Sequence, residues 1–248
     1  MSDTLSRPIL LRLDDTDAPL IPTSLGKADP FAARRGVAWS GETAMAAGRV
    51  AWEGGTLFMS AFPHTELLIV QGGALTVESG METDAPVTLR LGVGQAAVLP
   101  RGAALRLRAD APVSWSFCAA VAPASAPALG VFALVVDPQP VLSPSAAPAA
   151  ELLLGPVPAC RSANQAHDAA TGLRVGVWDS TPYARRLIPH RVNELMHILE
   201  GEVTLTDESG AAHRVVAGDT VFVPRGAPCA WTSAIHVRKI YAVQDAPA

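Results

Sequence analysis

The sequence lacks the features that direct a chain into or across a membrane. No apolar run reaches the roughly 18 residues that a membrane-spanning helix needs. The N-terminal stretch MSDTLSRPILLRLDD does not place a positively charged segment before an apolar one, as a secretory signal does. We therefore expect a cytoplasmic protein with no membrane partner.

Cysteine is scarce. The three cysteines, Cys118, Cys160 and Cys229, are widely spaced, odd in number and form no Cys-x-x-Cys pair. A disulfide framework needs an even number of cysteines and an oxidising compartment. The sequence thus predicts free thiols in a reducing compartment.

Charged residues and nucleotide-binding motifs are also few. Charged residues make up 17% of the 248 residues, the net charge is -4 and there is no basic run. Because nucleic-acid binding needs a basic surface, we expect no nucleic-acid partner. Gly-x-Gly-x-x-Gly, the phosphate-binding Gly-Lys-Ser/Thr and Gly-x-Ser-x-Gly are absent, which argues against the common dinucleotide, nucleotide and serine-hydrolase sites.

What the sequence does contain is an internal repeat. Six residues separate Glu66 from Gly73, and six residues separate Glu194 from Gly201. Further along, each half has a glycine, five residues and a Pro-Arg-Gly turn: Gly94 and Pro100–Gly102, then Gly218 and Pro224–Gly226. The chain is therefore predicted to contain two copies of one module in tandem.

Within each copy, apolar and polar residues alternate with a period of two. The clearest runs are 87–91, 105–108, 113–117 and 203–206. Alternate side chains of a strand point to opposite faces, so each run predicts a half-buried strand. Many short strands separated by glycine and proline turns predict an all-β protein built from antiparallel barrels.

Changes in composition suggest where the modules begin and end. We expect residues 1–25 to form an arm, 26–120 the first barrel and 151–248 the second. Residues 121–150 are rich in Pro, Ala and Ser and are expected to be an extended linker, because proline lacks the N–H that β-sheets and helices need for their hydrogen bonds. Residues 131–136 are the one part of that linker that could form a strand.

The Glu-x6-Gly and Gly-x5-Pro-x-Gly patterns resemble the two motifs of the cupin superfamily. The second copy is most similar to the ureidoglycine aminohydrolase-like family of cupin domains, through Val177–Pro182 (VWDSTP), Glu194–Thr206 (ELMHILEGEVTLT) and Val237–Tyr241 (VRKIY). The resemblance implies two tandem cupin barrels, of the double-stranded β-helix or jelly-roll type. It also implies a divalent metal near the barrel axis and hydrolysis of a C–N bond.

In the second copy, the resemblance places the metal-ligand positions on Ile188, His190, Glu194 and Cys229. Ile188 cannot ligate, so an imidazole, a carboxylate and a thiol remain, a set that suits Zn, Fe or Mn. A water molecule would take the missing place. The alternative is that His190 lies at the barrel mouth, Cys229 is apolar filling and Glu194 holds a turn. His197 differs in parity from Glu194 and is expected on the outer face.

Three further residues are candidates for ligand binding. Trp178 and Trp231 could stack on a planar ligand, and Arg186 could attract an anionic one. The alternatives are core packing for the two tryptophans and simple solvation for Arg186 and its neighbour Arg185.

In the first copy, the ligand positions fall on Ser60, Phe62, Glu66 and Leu105. Phe62 and Leu105 are expected to fill the lumen, while His64 shares a face with Glu66 and could pair with it. We therefore predict a filled structural barrel in the first copy and a barrel with a pocket in the second.

Two functions remain open. The first is a metal-dependent enzyme that acts on a small polar molecule containing nitrogen or a carboxylate, with the metal on His190, Glu194 and Cys229. The second is a metal-free bicupin that binds a small-molecule ligand or has a structural role without catalysis. A homodimer is a further expectation, because unpaired sheet edges favour pairing.

Overall fold

A computed structural model describes residues 7–12, 20–26, 28–41 and 44–244 of the chain. The regular secondary structure of these residues is β-strand, apart from two short 3₁₀ helices at Ala32–Arg34 and Ala150–Leu152. In the described part of the chain, no helix is long and apolar enough to cross a bilayer.

The strands follow one another at short intervals along the chain. The first twelve are β1 (Ile9–Leu10), β2 (Ile21–Pro22), β3 (Arg35–Ser40), β4 (Met45–Trp52), β5 (Gly55–Met59), β6 (Thr65–Gly72), β7 (Leu75–Ser79), β8 (Val87–Leu91), β9 (Ala96–Leu99), β10 (Leu105–Ala109), β11 (Val113–Ala120) and β12 (Leu134–Val135). The other ten are β13 (Ser143–Ser145), β14 (Cys160–Asp168), β15 (Leu173–Ser180), β16 (Tyr183–Pro189), β17 (Asn193–Glu200), β18 (Glu202–Asp207), β19 (Ala212–Val216), β20 (Thr220–Val223), β21 (Pro228–Ser233) and β22 (Val237–Gln244).

The chain forms two compact units. The N-terminal unit comprises Leu11–Val136 and Asp168–Leu173, and the C-terminal unit comprises Asp137–His167, the chain from Arg174 onward and β1. Each unit has one seven-stranded and one four-stranded sheet. The orders are β12-β9-β6-β11-β4-β3-β2 with β5-β10-β7-β8, and β1-β20-β17-β22-β15-β14-β13 with β16-β21-β18-β19. The prediction of two tandem all-β barrels is confirmed.

The segment between the two copies contributes an edge strand to each unit. Its first part contains β12, which pairs with β9, and its second part contains β13, which pairs with β14. Near the start of the chain, β1 pairs with β20 of the C-terminal unit. Residues 134–135 and 143–145 of the predicted linker, and residues 9–10 of the predicted arm, are therefore parts of the sheets.

The strands differ in how many of their faces are buried. In β10, Leu105 and Leu107 are buried whereas Arg106 and Arg108 are exposed, as period-two alternation requires. The central strands β6 and β17 are buried along most of their length on both faces. Their sequences are therefore nearly continuous apolar runs, interrupted by a few buried polar side chains.

The glycine that ends each Glu-x6-Gly motif forms the turn after the central strand. Gly73, with φ 74°, connects β6 to β7, and Gly201, with φ 78°, connects β17 to β18. A Cβ atom would lie 2.4 Å from the Pro112 oxygen at Gly73 and 2.0 Å from the His236 oxygen at Gly201. Both the left-handed backbone and the close approach require glycine, which explains why the motif recurs.

The two apolar side chains that were expected to fill the lumen of the N-terminal barrel lie in its core. Phe62 and Leu105 are buried in its core, where Trp115 and Phe117 also pack. Glu66 lies in this core, and its Oε2 atom is 2.8 Å from His64 Nε2. The pairing expected for these two side chains is therefore present.

A buried arginine compensates the charge of Glu66. Arg35 Nη2 is 2.9 Å from Glu66 Oε2, and Arg35 Nε is 2.8 Å from Asp29 Oδ2, with no side-chain exposure at any of the three. Trp115 Nε1 donates a further hydrogen bond of 3.2 Å to Glu66 Oε1. Burial alone would raise the pKa of Glu66, but Arg35 and His64 lower it to about 2. Arg35 was not predicted from the sequence to be part of this core.

Removal of the buried cation should strongly destabilise the N-terminal barrel. Arg35→Met leaves the carboxylates of Asp29 and Glu66 buried without a counter-charge, and we expect a loss of about 3–5 kcal/mol in the free energy of unfolding. Denaturant unfolding followed by circular dichroism measures the change. The matched control is Arg106→Met, which removes an exposed arginine paired with Glu78 and should cost about 1 kcal/mol or less. Equal losses in the two variants would contradict the assignment.

Candidate functional site

The C-terminal barrel contains a cavity of about 330 Å³. Its wall is formed by side chains two residues apart on successive strands, which therefore share a face. The polar and aromatic wall residues are Ser145, Ser162, Arg174, Trp178, Tyr183, Arg185, His190, Glu194, Cys229, Trp231, Lys239 and Tyr241. The volume lies at the lower end of the range for small-molecule sites.

His190 and Glu194 meet at this cavity. His190 Nε2 is 3.0 Å from Glu194 Oε2, and the two side chains are 14% and 12% exposed. The backbone N–H of His190 donates to the Ala227 oxygen at 2.9 Å, and the Gly226 N–H donates to the His190 oxygen at 2.8 Å. The Pro-Arg-Gly turn thus fixes the backbone that carries the imidazole.

Lys239 of β22 places its ammonium group against the same carboxylate. Lys239 Nζ is 2.9 Å from Glu194 Oε1 and 3.0 Å from the Met196 sulfur. It also lies 4.8 Å from the ring centroid of Trp178 and 5.2 Å from that of Trp231, within the range of cation–π interactions. The ammonium is buried between a carboxylate and two indole rings.

The charge on Glu194 follows from these neighbours. Burial alone would raise the pKa of Glu194, but the Lys239 ammonium and the hydrogen bond from His190 lower it to about 2. Glu194 is therefore a carboxylate at neutral pH, and its negative charge is compensated within the barrel.

Cys229 also lines the cavity, opposite Ile188 in the pairing of β16 with β21. Its Sγ donates to the Ala230 oxygen at 3.3 Å. Burial raises the pKa of Cys229 to about 11, so the group is a thiol at neutral pH rather than the thiolate that binds metals. All three cysteines are buried and free, as the sequence predicted.

These residues do not fit the metal site that the resemblance implies. Within residues 7–12, 20–26, 28–41 and 44–244, no three His, Cys, Asp or Glu side chains come close enough together to hold a metal ion. His190, Glu194 and Cys229 line one cavity, but they do not form a three-ligand site. A dication about 4 Å from the Lys239 ammonium would be repelled by about 8 kcal/mol at an effective dielectric constant of about 20.

The other predicted ligand-binding residues separate into two groups. Trp178 and Trp231 line the cavity, with their ring centroids 5.9 Å apart and their rings edge to face. Tyr183 stacks on Trp231 at a ring-centroid distance of 5.5 Å. Arg186 is exposed and does not line the cavity, whereas its neighbour Arg185 does. Successive side chains of a strand point to opposite faces, so only one of these arginines can face inward.

His197 lies on the opposite face of β17 from Glu194, as its parity predicted, but it is buried. Its Nδ1 atom is 3.0 Å from Thr220 Oγ1, and the side chain takes no part in lining the cavity. Burial lowers the pKa of His197 to about 4, so the imidazole is neutral at pH 7.

Comparison with known proteins places this architecture in a family. A profile of the EutQ-like cupin domain matches residues 168–241. A crystal structure from Pseudomonas syringae pv. tomato DC3000, a protein of unknown function from the DUF861 family, is 39% identical, with a TM-score of 0.89 over 96% of this chain and 99% of the other. The chain belongs to the DUF861 family of cupins.

More distant structures share the cupin fold. A cupin 2 conserved barrel domain protein from Leptotrichia buccalis is 11% identical, with a TM-score of 0.56 over 84% of this chain and 87% of the other. Ylba from E. coli, also of the DUF861 family, is 14% identical, with a TM-score of 0.50 over 82% and 79%. No functionally curated protein gives a significant sequence match.

Two cavity residues of this DUF861 cupin were not found from its sequence. Lys239 has the same parity as Val237 and Tyr241 along β22, so its position could have placed it inside the barrel. Lysine is rarely buried without a partner, so Lys239 was not considered as a cavity residue. Arg174 lines the same cavity from β15 and carries no motif of its own.

The neutral state of His197 predicts a loss of stability in mild acid. The pKa of His197 is 6.5 in the unfolded chain and about 4 in the folded one. The stability that the neutral imidazole contributes is therefore fully present above pH 6.5 and is lost as the pH falls towards 4. We expect the loss to reach about 3 kcal/mol. Denaturant unfolding at pH 7 and pH 4.5 measures it.

A matched pair of variants isolates this effect. His197→Gln should lose less stability than the wild type between pH 7 and pH 4.5, while the exposed His167→Gln should lose as much as the wild type. The pKa values of Glu66 and Glu194 are lowered to about 2, so these carboxylates begin to reduce stability only near the lower end of this range, and they do so equally in both variants. An unchanged acid response in His197→Gln would rule out His197 as its source.

Proposed function

We propose that the C-terminal barrel is a metal-free binding site for a small molecule that carries a carboxylate and a planar or apolar body. The observation that carries this proposal is the charge of the cavity wall. Arg174, Arg185 and Lys239 line it together with a single acidic side chain, Glu194. Since Lys239 compensates Glu194, Arg185 is the cation that we propose to attract an anion.

Arg185 is the best-supported partner for the carboxylate. One of its terminal nitrogens donates to the Cys229 oxygen at 3.0 Å, which holds the guanidinium against the cavity wall. Its Nε atom is buried and has no hydrogen-bond partner among the described residues. A guanidinium can bind a carboxylate through two parallel hydrogen bonds, and an uncompensated buried donor favours such a ligand.

The body of the ligand has aromatic neighbours. Tyr183 and Trp231 are stacked with an angle of 13° between their ring planes, and Trp178 contacts Trp231 edge to face. Flat aromatic surfaces of this kind favour a planar or apolar group. This arrangement supports a ligand with a charged end and a hydrophobic end, of a size that about 330 Å³ accommodates.

The resemblance to ureidoglycine aminohydrolase-like cupins implies another function, metal-dependent hydrolysis of a C–N bond. Its substrate class, a small molecule with nitrogen and a carboxylate, agrees with the excess of arginine in the cavity. The divalent metal of that function does not fit the side chains His190, Glu194 and Cys229. Glu194 is paired with an ammonium, and Cys229 is a thiol. We therefore propose the ligand class without the hydrolytic step.

Binding of a simple aromatic acid tests the proposal. Benzoate should bind the purified protein in isothermal titration calorimetry, and the isosteric neutral benzamide should bind about tenfold more weakly or not at all, because only benzoate pairs with a guanidinium. Arg185→Gln should weaken benzoate binding by about tenfold or more.

The adjacent arginine supplies a matched control. Arg186→Gln removes the same charge one residue away, on the exposed face of β16, and should leave benzoate binding unchanged. Equal weakening by both variants would show that binding follows net charge rather than the cavity. Benzoate and benzamide binding alike would overturn the carboxylate assignment.

A further inference from the structure

In each barrel of this protein, the repeated glutamate is paired with a positively charged side chain from the same barrel. Glu66 pairs with Arg35 at 2.9 Å, and Glu194 pairs with Lys239 at 2.9 Å. The Arg35 guanidinium carbon lies 4.3 Å from the ring centroid of Phe117, much as Lys239 lies over two indoles. Both cations are therefore held between the carboxylate and aromatic rings.

The two cations come from different strands. Lys239 faces Ile198 across β22 and β17, and Trp115 faces Val70 at the corresponding place on β11 and β6. Trp115 and Lys239 are thus equivalent in the repeat, and each donates to Oε1 of its glutamate. In the first copy the charge comes instead from Arg35 at the start of β3. The requirement for a cation is common to both copies, whereas the residue that meets it is not.

We propose that the Lys239 ammonium takes the place of the divalent metal that the cupin resemblance implies, so that the C-terminal barrel is electrostatically complete without a metal. It follows that loss of this ammonium opens a divalent-cation site on Glu194 and His190.

The contacts of Glu194 account for this exclusion. One carboxylate oxygen accepts from Lys239 and the other is hydrogen-bonded to His190 Nε2, so both oxygens already have a partner. The His190 Nε2 atom is directed at the carboxylate, so this nitrogen is occupied as well. Without the ammonium, the carboxylate would be buried and uncompensated, and a divalent cation is the counter-charge that carboxylate and imidazole together prefer.

Metal binding by variants at position 239 tests the inference. The protein is stripped with a chelator and titrated with Co²⁺ and Zn²⁺ in isothermal titration calorimetry. Lys239→Met, which keeps the length of the side chain and removes its charge, should bind one equivalent about tenfold more tightly or better than the wild type. Lys239→Arg, which keeps the charge, should behave like the wild type.

A second substitution locates the new site. Adding Glu194→Gln to Lys239→Met should return the affinity to the wild-type level, because the carboxylate is the principal donor. Wild-type protein purified from cells grown with added Zn, Fe and Mn should contain only substoichiometric metal, as measured by mass spectrometry. One equivalent of metal in the wild type, lost in Glu194→Gln, would overturn the inference.

Thermal unfolding keeps the test decisive if Lys239→Met folds poorly. Loss of the ammonium should lower the melting temperature, and Co²⁺ or Zn²⁺ should restore it, while potassium at the same concentration should not. If Lys239→Met neither binds the metal ions more tightly nor regains its melting temperature when they are added, the inference is contradicted. These experiments use no carboxylate ligand, so their outcome is independent of whether benzoate binds.

Discussion

A carboxylate inside a β-barrel is stable only if positive charge or several hydrogen-bond donors lie against it. In both barrels of this protein, the glutamate of the repeated motif meets that condition inside the barrel. Glu66 is held by Arg35, His64 and Trp115, and Glu194 is held by Lys239 and His190. The fold keeps the acidic position, and the neighbouring side chains determine what each barrel can do.

The difference between the two copies follows from what surrounds this ion pair. In the N-terminal barrel Phe62 and Leu105 pack into the core beside the glutamate. In the C-terminal barrel Arg185 and Trp178 instead line open space. The first copy thus has a packed core beside its glutamate and the second has a cavity, although the two copies share strand order and turn residues.

The fold could be predicted because its determinants are local. Gly73 and Gly201 mark turns that only glycine can make, and their spacing from the glutamates gives the length of the central strands. The pairing of His64 with Glu66 was predicted because strand alternation alone places them on one face. The electrostatic partners could not be predicted in the same way, since Arg35 and Lys239 are 31 and 45 positions from their glutamates and meet them only through sheet pairing. Arg185 and Arg186 differ only in parity, which depends on the register of β16.

Segments on the N-terminal side of the second repeat form part of its cavity and of its larger sheet. Ser145, within β13, and Ala146 form part of the cavity wall, and β1 supplies an edge strand from the other end of the chain. The site therefore depends on segments that lie outside the repeated sequence on its N-terminal side. Excising the second repeat at its own sequence boundaries would remove part of the cavity wall and uncover a sheet edge, so the second repeat alone is not expected to form this cavity.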